Sequence, residues 1–147
     1  MPAACALASN VCEHLGTRTP KLLVIDDEQQ IIDGIKRRLA SYDVQVVEGY
    51  HGYDGIWRGI TEQPDAIITD IRMPHADGEE VIDCLQRNPR TRAAPIFVLT
   101  GVSDHSLERR LRARGVVEYF TKPTDMVELI AVLSKYVNLK PSRSDRK

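Results

Sequence analysis

Five short apolar runs divide the chain, and most end on a polar residue. Leu22–Ile25 stops at Asp26-Asp27-Glu28, Ala66–Thr69 at Asp70, Ala94–Thr100 on its own hydroxyl, and Val116–Phe120 at Thr121-Lys122-Pro123, with Val44–Val47 between the first two. Runs of this length without alternation predict strands covered on both faces. Between them, apolar residues recur three and four apart, as on a helix packed by one side. The spacing predicts helices over Gln29–Tyr42 (Ile31, Ile32, Ile35, Leu39, Tyr42), Asp54–Glu62 (Ile56, Trp57, Ile60) and Glu79–Asn88 (Val81, Ile82, Leu85). Two more follow over Asp104–Arg114 (Leu107, Leu111) and Asp125–Val137 (Met126, Leu129, Ile130, Leu133). The second helix is short and weakened by its glycines. Asp77-Gly78 and Asn88-Pro89 bracket the third, and Gly115 stops the fourth.

Strands alternating with helices predict an α/β fold, a parallel sheet with helices on both faces. Right-handed crossovers then bring the C-terminal ends of all five strands to one rim, where such sheets bind ligands. The sequence places Asp26 and Asp27 there after the first strand, Asp70 after the third, Thr100 after the fourth and Lys122 after the fifth. Pro74 keeps a helix from running straight out of the third strand, so Asp70 is presented on a loop.

Composition narrows the classes. A chain of 147 residues with 42% hydrophobic and 28% charged residues fits one globular domain with a real core, and a net charge of -1 argues against a general nucleic-acid or membrane-surface binder. No apolar run reaches the roughly eighteen residues of a bilayer span. Met1–Leu15 has neither a basic leader nor an apolar core of signal-peptide length, so a cytoplasmic location is expected. Cys5, Cys12 and Cys84 lack metal-like spacing and fit free thiols. Residues 1–19 lack the periodicity of a core element and are expected to form an extension, at most a short frayed helix. The domain occupies 20–138, and 139–147 reads as a disordered polar tail.

Each rim residue has a bland explanation alone: Asp26 and Asp27 as helix caps, Thr100 as a strand-end hydroxyl, Lys122 as a solvated charge. Together they are more specific. Three carboxylates around one point repel unless a cation sits among them, and hard oxygen ligands suit Mg²⁺. With a hydroxyl and an ammonium beside them they can hold a phosphoryl group, for which Asp70 is the nucleophile. A phosphatase or phosphotransferase would want a general acid two residues after Asp70, where Arg72 stands. A non-phosphorylated scaffold of this fold would need the site broken, and its side chains are present.

Over about residues 20 to 138 the chain resembles the receiver domains of two-component response regulators, including the stand-alone chemotaxis regulator. Val24-Ile25-Asp26-Asp27-Glu28 is similar to the family's acidic pair, Ile68-Thr69-Asp70-Ile71-Arg72-Met73-Pro74 with Asp77-Gly78 to its phospho-acceptor motif, and Val98-Leu99-Thr100 to its switch hydroxyl. Tyr119-Phe120-Thr121-Lys122-Pro123 resembles its aromatic, lysine and proline. The resemblance implies a flavodoxin-like doubly wound (βα)5 fold with strand order 2-1-3-4-5. It implies phosphoryl transfer from a histidine kinase or histidine phosphotransfer protein onto Asp70, with Mg²⁺ held by Asp26, Asp27, Asp70 and the Arg72 carbonyl, and a cis peptide before Pro123. Such a protein is a regulator, with only its own self-phosphorylation and self-dephosphorylation chemistry. Gly101 and Gly55 stand where the family usually has alanine, and Val116-Val117 replace a small-then-acidic pair. Glycine beside Thr100 loosens the loop that must respond.

On this reading Thr100 and Lys122 engage the phosphoryl group, and Tyr119 fills the space that Thr100 vacates. The fourth helix, fifth strand and fifth helix then present a changed surface to a separate output protein, or to a second copy of the chain. Arg109, Arg110, Arg112 and Arg114 crowd that helix and suggest an acidic partner. Arg72, pairing with phosphoryl oxygens, and Val102, an apolar cover on the opposite flank, are expected to prolong the aspartyl phosphate.

Overall fold

The computed structural model describes residues 18–143, so most of the expected extension and the last four residues of the expected tail lie outside the described residues. The elements run β1 (Lys21–Ile25), α1 (Gln29–Leu39), β2 (Gln45–Gly49), α2 (Gly52–Glu62), β3 (Ala66–Thr69), α3 (Gly78–Arg87), β4 (Ile96–Thr100), α4 (His105–Ala113), β5 (Glu118–Thr121) and α5 (Met126–Leu133). The five strands are parallel, in the order β2-β1-β3-β4-β5. This is the doubly wound (βα)5 arrangement that the alternating pattern predicts.

Strand parity divides the core in two. Leu23 and Ile25 of β1, Ile67 of β3 and Ile96 and Val98 of β4 face Val81, Ile82 and Leu85 of α3 and Leu107 and Leu111 of α4. Their neighbours Leu22, Val24, Ala66, Ile68, Phe97 and Leu99 face Ile32, Ile35 and Leu39 of α1 and Leu129, Ile130 and Leu133 of α5. Successive side chains of a strand point to opposite faces, so a run of apolar residues fills both layers at once.

The second helix differs from its sequence reading. Its buried residues are Gly52, Gly55 and Gly59, while Trp57 is exposed. The glycines let the helix lie close to the sheet: a Cβ on Gly55 would sit 2.6 to 2.8 Å from three Ile25 side-chain atoms, and one on Gly59 2.8 Å from Leu85. They weaken the helix locally but form its packing face.

Both ends of the final stretch differ too. Regular α5 closes at Leu133, where the chain tightens into a turn that lays the Tyr136 ring edge-on against Phe97, 5.2 Å between centroids. Residues 139–143, expected within a disordered tail, are instead tied to the turn after α1. The Asp43 amide donates to the Lys140 carbonyl and the Ser142 amide to the Ser41 carbonyl, each at 2.8 Å, and Tyr42 and Pro141 form an antiparallel bridge.

One substitution made at two glycines separates propensity from packing. A Cβ at Gly34 of α1 meets nothing within 4 Å, so Gly34→Ala should stabilise by about 0.5–1 kcal/mol through helix propensity. Gly55→Ala gains the same propensity yet collides with Ile25, and should be net destabilising by about 1 kcal/mol or more. Urea unfolding midpoints of the two variants check the opposite signs.

Candidate functional site

Registered strand ends level the rim: Ile25 pairs with Gly49 and Thr69, Thr69 with Val98, and Thr100 with Thr121. The next residue of each strand continues the ladder, with the Asp26 amide donating to the Gly49 carbonyl, the Asp70 amide to the Ile25 carbonyl and the Lys122 amide to the Thr100 carbonyl. Asp26 and Asp70 continue the parity of Leu22, Val24, Ala66 and Ile68, and emerge on the same side. Lys122 follows Phe120 by two residues, and its long side chain reaches past the end of β4 to join them. The Lys122–Pro123 peptide bond is cis.

The Lys122 ammonium lies 2.9 Å from Asp26, 3.0 Å from Asp70 and 3.2 Å from Glu28. Asp26 and Asp70 are buried, at 2% and 4% exposure, whereas Asp27 is exposed. The second oxygen of Asp70 accepts from the Ile71 amide at 2.6 Å and the Arg72 amide at 3.3 Å, and that of Asp26 accepts from the Glu28 amide at 2.9 Å. Burial pushes the Asp26 carboxyl above its ordinary range, although the Glu28 amide and Lys122 pull it down. Burial also works against the Lys122 ammonium, but its bonds to Asp26 and Asp70 outweigh this and hold it well above the usual lysine value. The lysine is therefore a fixed positive charge.

Asp26, Asp27 and Asp70 each offer a carboxylate oxygen, all within 4.8 Å of one another. This set of hard oxygens, partly open to water through Asp27, fits a divalent cation. The loop that begins at Asp70 rests on Gly78, where a Cβ would lie 2.4 Å from the Ile71 Cα and 2.8 Å from the Asp70 carbonyl oxygen. Asp77 opens α3 here by accepting from the Glu79 amide. The Asp77-Gly78 turn thus sets how closely α3 approaches the rim.

Thr100 follows the other parity, that of Ile96 and Val98, and is fully buried. Its hydroxyl oxygen accepts from the Val102 amide at 3.3 Å, and the Tyr119 hydroxyl donates to the Val102 carbonyl at 2.6 Å. Tyr119 is 8% exposed, so its ring already lies inside, where the sequence reading brings it only after Thr100 has moved. Burial, reinforced by the charges of Glu108, Asp104 and Asp70, raises its pKa and keeps the hydroxyl a donor. Arg72 and Val102 both line the open cleft above Asp70, together with Thr100, Asp104, His105 and Lys122.

The arginines of α4 are largely engaged within the molecule. Arg110 pairs with Glu79 at 2.7 Å, Arg114 with Asp83 at 3.1 Å, and Arg112 with Glu108 and Glu118. Arg109 alone of the four makes no ion pair among the described residues. Sequence reasoning missed this ladder, which needs acids at 79 and 83 to face arginines 31 residues later. It also left Glu28 without a role at Lys122, although its place in the Asp26-Asp27-Glu28 run was a signal.

Residues 22–134 match the family model of the response regulator receiver domain. The chain is 34% identical over 114 residues to a DNA-binding dual master transcriptional regulator of Synechocystis, covering 76% of this chain and 46% of that protein. It is 31% identical over 124 residues to a hybrid signal transduction histidine kinase of Dictyostelium discoideum, covering 84% of this chain and 8% of that one. The chain therefore spans less than half the length of either relative. Among solved structures, a chemotaxis response regulator of Vibrio cholerae superposes with a TM-score of 0.74 at 22% identity, covering 82% of this chain and all of that one. The receiver domain of a Pseudomonas aeruginosa sensor histidine kinase, which carries a magnesium ion in its active-site cleft, gives 0.70 at 22% identity over 82% and 99% of the two chains.

The fold and its acidic rim thus define a signalling domain of the two-component class. The chain belongs to the response regulator receiver family. Among its described residues no helix is long and apolar enough to cross a membrane.

A raised Asp26 pKa has a definite sign. The folded state holds the proton to higher pH than the unfolded chain does, so stability falls as pH rises from about 3.8 through the folded value, and the ionised group is a cost at neutral pH. In chelator, to exclude divalent cations, Asp26→Asn should raise the urea midpoint at pH 7. That gain should disappear as the pH falls below 3.8, which a pair of pH-stability curves checks.

Proposed function

We propose that this domain takes a phosphoryl group onto Asp70 from a histidine kinase or histidine phosphotransfer protein, and passes the signal to a separate output protein. The observation that carries this is the Lys122 ammonium seated between Asp26 and Asp70 beside a three-carboxylate cluster. A carboxylate oxygen of Asp70 attacks phosphorus as the P–N bond to the donor imidazole breaks, and the departing imidazole nitrogen takes its proton from solvent, since the carboxylate has none to give. Asp26, Asp27, Asp70 and the Arg72 carbonyl would hold Mg²⁺, which would supply Lewis-acid neutralisation of the phosphoryl oxygens. Lys122 stabilises the same charge with no proton to lose, and the Ile71 and Arg72 amides keep the Asp70 carboxylate oriented.

The response runs through the other parity group. Phosphoryl oxygens beside Asp70 offer Thr100 a better acceptor than its local contacts, and a shift of Thr100 pulls on Val102, which the Tyr119 hydroxyl grips. Tyr119 thereby ties the loop after β4 to β5, and the surface formed by α4, β5 and α5 meets the output partner or a second copy. An acidic partner would engage Arg109, the arginine of α4 not already paired among the described residues. The exposed free thiol of Cys84 fits a cytoplasmic setting.

Incubation with Mg²⁺ and a small phosphodonor, followed by intact mass, should add a single acid-stable, base-labile phosphoryl group. Asp70→Asn should abolish the gain, and Asp27→Asn should slow it and remove its Mg²⁺ dependence; a scaffold would gain nothing in any form. Lys122→Ala should still fold and accept phosphate while losing the conformational response, as read by partner binding or the chemical shifts of β5.

Arg72 and Val102 both line the cleft, one a guanidinium able to pair with phosphoryl oxygens, the other an apolar cover. Arg72→Ala and Val102→Glu should each shorten the aspartyl phosphate lifetime by several-fold, roughly 1 kcal/mol in the hydrolysis barrier. Phosphate loss after donor removal measures it, and equal lifetimes in all three proteins would exclude these side chains as the timer.

A further inference from the structure

Helix α2 carries its bulk on the wrong side for a surface helix. Its inner face is glycine, while Tyr53 and Trp57, one turn apart, are 60% and 65% exposed, with Tyr50 just before the helix at 42%. These are three of the five large exposed hydrophobics among the described residues, two of them on α2 and the third two residues before it. Single exposed apolar residues are ordinary, but an aromatic stripe is a surface awaiting a cover.

We propose that residues 1–17 of this chain supply that cover, laying an apolar stripe along Tyr53 and Trp57. The first support is where the described chain begins. Arg18 pairs with Asp65, and the Lys21 ammonium reaches the Glu62 carboxylate at 3.1 Å and the Glu62 carbonyl at 3.4 Å. Arg18, where the described chain begins, therefore lies near the C-terminal end of α2. That helix has 11 residues and a length of about 16 Å, while seventeen residues reach about 25 Å even in helical form.

The second support is chemical. Leu7, Val11 and Leu15 fall at every fourth position, after a run rich in alanine, and Glu13 is the sole charged side chain before Arg18. This is the complement of an aromatic surface.

The third is area. Three half-exposed aromatics present roughly 300 Å². A stable association between separate molecules usually needs about 800 Å² on each side. A segment tethered at the end of the same helix acts at an effective concentration in the millimolar range and needs far less contact. The patch is therefore sized for an intramolecular cover and not for a second copy.

Trp57 is the chain's one tryptophan, so its fluorescence reports this contact directly. The full chain, at low micromolar concentration, should show a blue-shifted emission and weak acrylamide quenching. The full-chain variant L7S/V11S/L15S should shift the emission red and raise the quenching constant, with far-UV circular dichroism and phosphoryl gain unchanged. Solvent-like emission in the unsubstituted chain would overturn the proposal. So would shielding that persists in the variant, whether it disappears on dilution, marking a second copy as the cover, or does not.

Discussion

The pairing of one lysine ammonium with two buried carboxylates governs the rest of this structure. Asp26 and Asp70 close adjacent central strands, and without Lys122 they would face each other as like charges removed from water. Such a cluster adds little net stability, because taking the ions out of water costs about as much as their attraction returns. What it provides is a positive charge fixed where a further negative group can be received. Strand register, the turn at Gly78 and the span of Lys122 past β4 all serve to hold that arrangement.

The parity of the strands carries this charge outward. Residues of one parity end in the Asp26, Asp70 and Lys122 set, while those of the other lead through Thr100 and Tyr119 to α4. The sheet therefore separates the ionic cluster, on the α1 and α5 side, from Thr100 and Tyr119, on the α3 and α4 side, and Asp70, Thr100 and Lys122 line one cleft at the rim. Helix α4 is lightly anchored. Its buried apolar residues are Leu107 and Leu111, and much of its remaining attachment is the arginine ladder to Glu79 and Asp83, polar contacts that water can replace at low cost.

Most of this was legible in the sequence because buried parallel strands announce themselves as short apolar runs, and the residues ending those runs form the rim. Asp26, Asp27, Asp70, Thr100 and Lys122 could be brought together from topology alone. The second helix was not legible in the same way. Periodicity treats Trp57 as a packing residue and glycine as a defect, whereas close approach to Ile25 buries the glycines and leaves Trp57 outside. The arginines of α4 misled for a related reason: whether a charge is free depends on what another helix places opposite it. Tyr119 could be named from its motif, but the inward position of its ring depends on the Val102 carbonyl being within reach.

The tie between residues 140–142 and the turn after α1 has a geometric consequence. The Pro20 carbonyl accepts from the Gln45 amide at the start of β2, and Lys140 and Ser142 bond to Asp43 and Ser41 a few residues earlier. Both ends of the described chain therefore flank one corner, at the foot of the sheet, about one strand length of 17 Å from the rim that holds Asp70. A unit whose two ends share a corner can be spliced into a longer polypeptide without being stretched. Like a plug with two adjacent pins, it seats from below and leaves its working face unobstructed.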